Sequence, residues 1–199
     1  MTDREREILD GDEFEGETFE ELDLGERTLE GKVFRDCRLR RVRLVEARLA
    51  GCTFEDCEVE DCDLTMASVA GAALRDVEFR RCKLMGIDWT DVRGLVFSAS
   101  FEECNLSHAT FADRKMPETS FRGCRAHDAS FAGVDLTRSV FAGTDLRGAR
   151  FIDTVLTEAD FSTAVNYDIS PDQNRLRKTR FSQEAALALV ARLGVIVPE

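Results

Sequence analysis

The stretch Phe141-Ala142-Gly143-Thr144-Asp145-Leu146-Arg147-Gly148-Ala149-Arg150-Phe151-Ile152-Asp153-Thr154-Val155-Leu156-Thr157-Glu158-Ala159-Asp160-Phe161 decides the fold. A bulky apolar residue returns at every fifth position: Phe141, Leu146, Phe151, Leu156, Phe161. Two residues before each of them stands a small one: Ser139, Thr144, Ala149, Thr154, Ala159. A period of five fits neither a helix nor a strand. A fixed internal period is the mark of a repeat architecture. Followed outward, the rhythm runs back through Phe121, Phe111 and Phe101. Before a slip of two residues it runs from Phe14 to Trp89.

The geometry follows from the pair of inward positions. A large residue and a small one two places earlier share one side of an extended segment, and the other three residues turn the chain. Four segments make a coil of about 20 residues, and coils stack at about 4.8 Å. Residues 20 apart then form columns. One column reads Phe79, Phe101, Phe121, Phe141, Phe161, and another Trp89, Phe111, Phe131, Phe151. The two remaining columns are Leu64, Leu84, Leu106, Ala126, Leu146 and Val96, Met116, Leu136, Leu156. These columns align if Val92 and Arg93 are the extra pair and Gly94-Leu95-Val96 is a normal segment. A small bulge is therefore expected at Asp91–Gly94. Asp91, Val92 and Arg93 become candidate contacts for a partner, because solenoid insertions project. Arg114 stands where a small residue belongs. Local distortion is expected there, with Arg114 and Lys115 facing outward as further candidate contacts.

All seven cysteines (37, 52, 57, 62, 82, 104, 124) fall at the small inward position, which suits buried thiols better than a metal site. His108 and His127 sit in no triad, and no phosphate-binding loop occurs. The residues therefore point to neither an enzyme nor a cofactor. The N-terminus is charged, and no apolar run reaches membrane-spanning length, so a cytoplasmic protein is expected. The net charge of −12 argues against nucleic acid as a partner and suits a basic protein surface. Residues 1–30 carry a net −10 and residues 31–50 a net +5.

After Phe161 the rhythm stops. Asn166 to Asp172 reads as a connector. Ser182 is a good helix N-cap before Gln183-Glu184, and the helix beyond is apolar almost all round. The expected division is an extension over 1–11, the repeat over 12–163, and a connector with a capping and dimerisation helix over 164–199. A homodimer interface is expected at Phe181, Leu187, Leu189, Val190, Leu193, Val195 and Ile196.

The segments Cys62-Asp63-Leu64, Val134-Asp135-Leu136, Thr144-Asp145-Leu146 and Ala159-Asp160-Phe161 resemble the A(D/N)LXX motif of the pentapeptide-repeat proteins. That resemblance implies an all-β solenoid, a right-handed quadrilateral parallel β-helix, here with a C-terminal α-helix. Lys83 to Thr90, Cys124 to Phe131, Ala164 to Ile169 and Arg180-Phe181-Ser182 resemble the narrower Qnr and albicidin-resistance group. The long projecting loops of many Qnr proteins have no counterpart. The resemblance implies a non-enzymatic mimic of duplex DNA. Its partner would be DNA gyrase, with topoisomerase IV as a second candidate, and it would protect against quinolones or albicidin-like poisons. The acidic surface would comprise Glu13, Glu15, Glu20, Glu21, Asp23, Glu55, Asp56, Glu60 and Asp61. A scaffolding repeat protein with no topoisomerase partner is the alternative the repeat leaves open.

Overall fold

The computed structural model describes residues 2–94 and 97–192, with side chains described through Val190. Leu95, Val96, Leu193, Val195 and Ile196 lie outside the described residues. The chain is a parallel β-solenoid of about eight coils between two helices. Helix α1 (Asp3–Asp10) is followed by β1 (Glu13–Glu15), β2 (Thr18–Glu20), β3 (Val33–Arg35), β4 (Arg38–Arg40), β5 (Thr53–Glu55) and β6 (Glu58–Glu60). Then come β7 (Ala73–Arg75), β8 (Val77–Arg80), β9 (Ala99–Glu102), β10 (Phe121–Arg122), β11 (Asp160–Phe161), β12 (Arg180–Phe181) and α2 (Gln183–Arg192). The first side of the coil holds the sheet β1-β3-β5-β7, and the second side holds β2-β4-β6-β8-β9-β10. Single bridges continue the ladder on the other two sides, such as Asp23 with Arg43 and Thr28 with Arg48.

The register is the 20-residue one: Phe14 opposite Phe34, Phe34 opposite Phe54, Phe101 opposite Phe121. The bulky and small inward positions form one continuous core. Many corners are closed by a turn, for example Ala47 N–H to Leu44 C=O at 3.1 Å. The third residue of such a turn is left-handed, as at Glu46 with φ 56°. Glycine meets that demand at Gly86 (φ 69°), where an added Cβ would lie 2.3 Å from the Met66 sulfur. The Asp or Asn just before the bulky residue also has a physical role. Asp63 accepts from the Thr65 N–H at 3.1 Å and its hydroxyl at 2.7 Å, and Asp135 does the same for Thr137. All seven cysteines are free and buried. Burial pushes the thiol of Cys57 up to about 11 and that of Cys124 up to about 12, so both stay protonated at neutral pH.

The structure corrects the expected organisation in three places. First, the excess pair is not Val92-Arg93. Arg93 keeps the 20-residue register with Ala73, whereas Ala99 pairs with Val77 at 22, so the extra residues lie between them. Val92 is buried in the small inward position. Phe97 enters the core on this side. Its N–H bonds to Lys115 C=O, 18 residues on, where Phe101 N–H bonds to Ser120 C=O, 19 on. Second, the ladder does not stop at residue 163. Val165 pairs with Asp145, Ile169 with Phe151, Arg175 with Val155 and Phe181 with Phe161. The rhythm breaks in sequence because Ile169 sits 18 residues after its partner, and the chain then recovers its register. Third, the N-terminal extension contains α1. Thr2 and Glu5 form a reciprocal capping box, and Ile8 is buried against the first coil. Lys32, at a small inward position, is buried there, and its Nζ donates to Leu9 C=O at 2.8 Å and also to Gly11 C=O, at the end of α1.

Candidate partner-binding surface

Stacking places residues 20 apart side by side, so the surface is set by columns of charge. On the second side one column reads Glu20, Arg40, Glu60, Arg80, Glu102, Arg122, and the next Glu21, Arg41, Asp61, Arg81, Glu103. On the first side Glu15, Arg35, Glu55 and Arg75 alternate. On the third side Asp23, Arg43, Asp63 and Lys83 alternate. The acidic block and the basic block of the sequence therefore lie against each other.

This changes the expected acidic surface. Glu13 pairs with Arg35 at 3.3 Å, Glu20 and Glu21 with Arg41 at 2.6 and 3.0 Å, and Asp23 with Arg43 at 2.9 Å. Glu55 lies between Arg35 and Arg75, Glu60 between Arg40 and Arg81, and Asp61 beside Arg81 at 2.9 Å. Of the nine, Glu15 and Asp56 have no ion pair among the described residues. Asp56 belongs to a different column, Asp36, Asp56 and Asp76, at the corner between the first two sides. All three are exposed left-handed residues (φ 49°, 52°, 50°), and none has an ion pair among the described residues. Ser98 donates to Asp76 at 2.5 Å. Asp36 and Asp76 do not stand out when charge is summed by segment of the sequence. Reading each acid against the residue 20 away would have found them.

The predicted contacts near the bulge also divide. Asp91, Arg93 and Lys115 are exposed, but buried Val92 cannot reach a partner. Arg93 donates to Gly51 C=O at 2.9 Å. Arg114 does not project as expected. It folds back onto the preceding coil, donating to Thr90 C=O at 3.4 Å and Gly94 C=O at 3.3 Å. Its Nε is buried without a hydrogen-bond partner among the described residues. A long side chain at a small inward position has turned to those backbone carbonyls.

At the C-terminal end, Phe181 stacks on Phe161 (centroids 5.8 Å, 19°) and touches Tyr167, so it belongs to the last coil. Ser182 caps α2, accepting from Ala185 N–H at 3.2 Å. Leu187 is 47% exposed, and Leu189 and Val190 are half-buried. Among the described residues no helix is long and apolar enough to cross a membrane, and no cluster of His, Cys, Asp and Glu could hold a metal ion.

The ion ladders set the response to acid. The hydrogen bond from Arg81 holds Asp61 below the usual carboxylate range. Partial burial opposes charge on Asp145, but hydrogen bonds from Asn166, His127 and the Arg147 N–H outweigh it and hold the carboxyl at about 2. Carboxyls depressed in the folded state add stability that is complete above their unfolded pKa of about 3.9 and is lost as pH falls through the folded value. We expect the urea midpoint to be the same at pH 6 and 8 and clearly lower at pH 3. A midpoint unchanged at pH 3 would contradict the assigned pairs.

Comparison with known proteins agrees with this geometry. The pentapeptide repeat region family matches residues 13–89 and 32–111, and the family of pentapeptide repeats (8 copies) matches 104–142 and 135–164. No curated protein matches the sequence closely enough to count as a relative. Among solved structures, a trypsin-treated variant of QnrB1, a plasmid-mediated fluoroquinolone resistance protein, superposes with TM-score 0.71 at 18% identity. That match covers 94% of this chain and 100% of the other. A second trypsin-treated QnrB1 variant gives 0.60 at 20% identity, covering 94% and 99%. Full-length QnrB1 gives 0.51 at 21%, covering 89% and 100%. At these identities the likeness concerns the fold. With a five-residue period over most of its length, four-sided coils in a 20-residue register and two family matches that together span residues 13–164, the chain belongs to the pentapeptide-repeat family.

Proposed function

We propose that the protein acts by binding rather than catalysis. It occupies the DNA-binding surface of DNA gyrase, with topoisomerase IV as a second target, and protects the enzyme from poisons such as quinolones or albicidin-like antibiotics. The observation that carries the reading is the unpaired carboxylate column Asp36, Asp56, Asp76 along a straight corner of a rod. Neighbouring coils lie about 4.8 Å apart, so the column offers negative charge at a regular rise. The rod is roughly 40 Å long at that rise. A duplex of that length carries about 24 phosphates. The net charge of −12 supplies half as many. The mimic is therefore sparse, and its free acids matter more than its total.

A homodimer joined through α2 would double the rod and place the Asp columns towards its outer ends. The competing reading is a scaffolding repeat protein with no topoisomerase partner. It draws on one observation, that seven of the nine expected surface acids are already held by arginines. The test is gyrase supercoiling in the presence of a quinolone, with and without the protein. Restored supercoiling supports the proposal. Neither rescue nor inhibition at any protein concentration would sink it.

A further inference from the structure

The third coil, residues 52–71, differs from its neighbours both inside and outside. Its inward residues are Phe54, Val59, Leu64 and Val69, one aromatic and two valines. An apolar void of about 20 Å3 lies at this level, between these residues and the coils on either side. Further along, by contrast, Phe111, Phe121, Phe131 and Phe141 are both stacked and edge-packed. Outside, the third coil carries six acids and no base. Arginines and a lysine of the second and fourth coils hold five of those acids. Arg38 meets Glu58 at 3.3 Å, Arg40 meets Glu60 at 3.0 Å, and Arg35 and Arg75 meet Glu55 at 3.6 and 3.4 Å. Arg81 meets Glu60 and Asp61, and Lys83 meets Asp63 at 3.1 Å.

We propose that the third coil is an ion-sensitive seam of the solenoid: its backbone ladder and thin core are supplemented by charge, and it opens locally when salt screens that charge. Each exposed pair contributes little alone, but four separate groups of pairs lie around this one coil, and salt acts on all of them together. In a solenoid each coil is held only by the coils above and below, so a weak level can open without the rest. The aromatic levels depend less on salt: between 118 and 157 the ion pairs among the described residues are Arg138 with Glu118 and His127 with Asp145, and dispersion and apolar burial are not screened. This inference is independent of the partner's identity.

Hydrogen exchange of the full-length protein, read by mass spectrometry at 50 mM and 1 M NaCl at one pH, tests it. Peptides from 52–71 should exchange about tenfold faster at high salt, equivalent to about 1.4 kcal/mol. Peptides from 118–157 should change less than about twofold. Arg81→Gln should speed exchange of the third coil at low salt and shrink its salt response. Val59→Leu, which adds a methylene beside the void, should slow exchange of that coil at both salt concentrations. Equal acceleration of both regions, no acceleration of the third coil, or an undiminished salt response in Arg81→Gln would each overturn the proposal.

Discussion

Replacing Phe121 with alanine is expected to cost the fold about 3–5 kcal/mol, the range for removing a large buried aromatic. The ring is fully buried and meets four others. It stacks on Phe101 at 5.2 Å and Phe141 at 4.8 Å, and packs edge-on against Phe111 at 5.8 Å and Phe131 at 5.6 Å. Those contacts add to simple burial. Alanine would leave a hole that the coils above and below cannot close, since each is fixed by its own backbone ladder. Phe121→Leu keeps most of the volume and should cost clearly less. Denaturant unfolding of both variants checks this. A loss below about 1 kcal/mol for Phe121→Ala would mean that the aromatic columns are not what holds these coils.

The second large effect concerns α2. On α2, Leu187 is about half exposed and Val190, three residues on and on the same side of the helix, is half-buried, so apolar surface is left uncovered on one chain. A second copy of the same helix is the simplest cover. The double substitution Leu187→Glu with Val190→Glu places two charges on that side of the helix, in the proposed interface. Light scattering should then change from a mass of two chains to that of one, while the β-rich circular dichroism spectrum is kept. A wild-type protein that already runs as one chain, or a variant that remains a pair, would contradict the dimer.

Much of the fold was legible because the period of five is a direct image of the coil. The Phe101 to Phe161 column and the Trp89 to Phe151 column follow from spacing alone. The failures have physical causes. The position of the two extra residues could not be read, because Val92 and Val96 are equally suited to the core and only backbone pairing selects Val92 and Phe97. The last coil was invisible because Asn166 stands where leucine is expected, yet Val165 and Ile169 still find their partners. Helix α1 carries a sequence signal, the capping-box pair Thr2 and Glu5 three residues apart. The candidate surface was less legible than the core. Charge was summed along the chain, whereas the molecule sums it across coils, so Glu20, Glu60 and Asp61 looked like a free acidic surface and are salt-bridged.

On the proposed function, unpaired carboxylates on the solenoid replace duplex DNA on gyrase. Displacement of a fluorescent duplex from purified gyrase by this protein tests this most directly. The wild-type chain should displace it. The triple variant Asp36→Asn, Asp56→Asn, Asp76→Asn should displace it at least about tenfold more weakly, with the fold intact, as expected when charge complementarity guides binding. Failure of the wild-type protein to displace the duplex, or equal displacement by the triple variant, would contradict it.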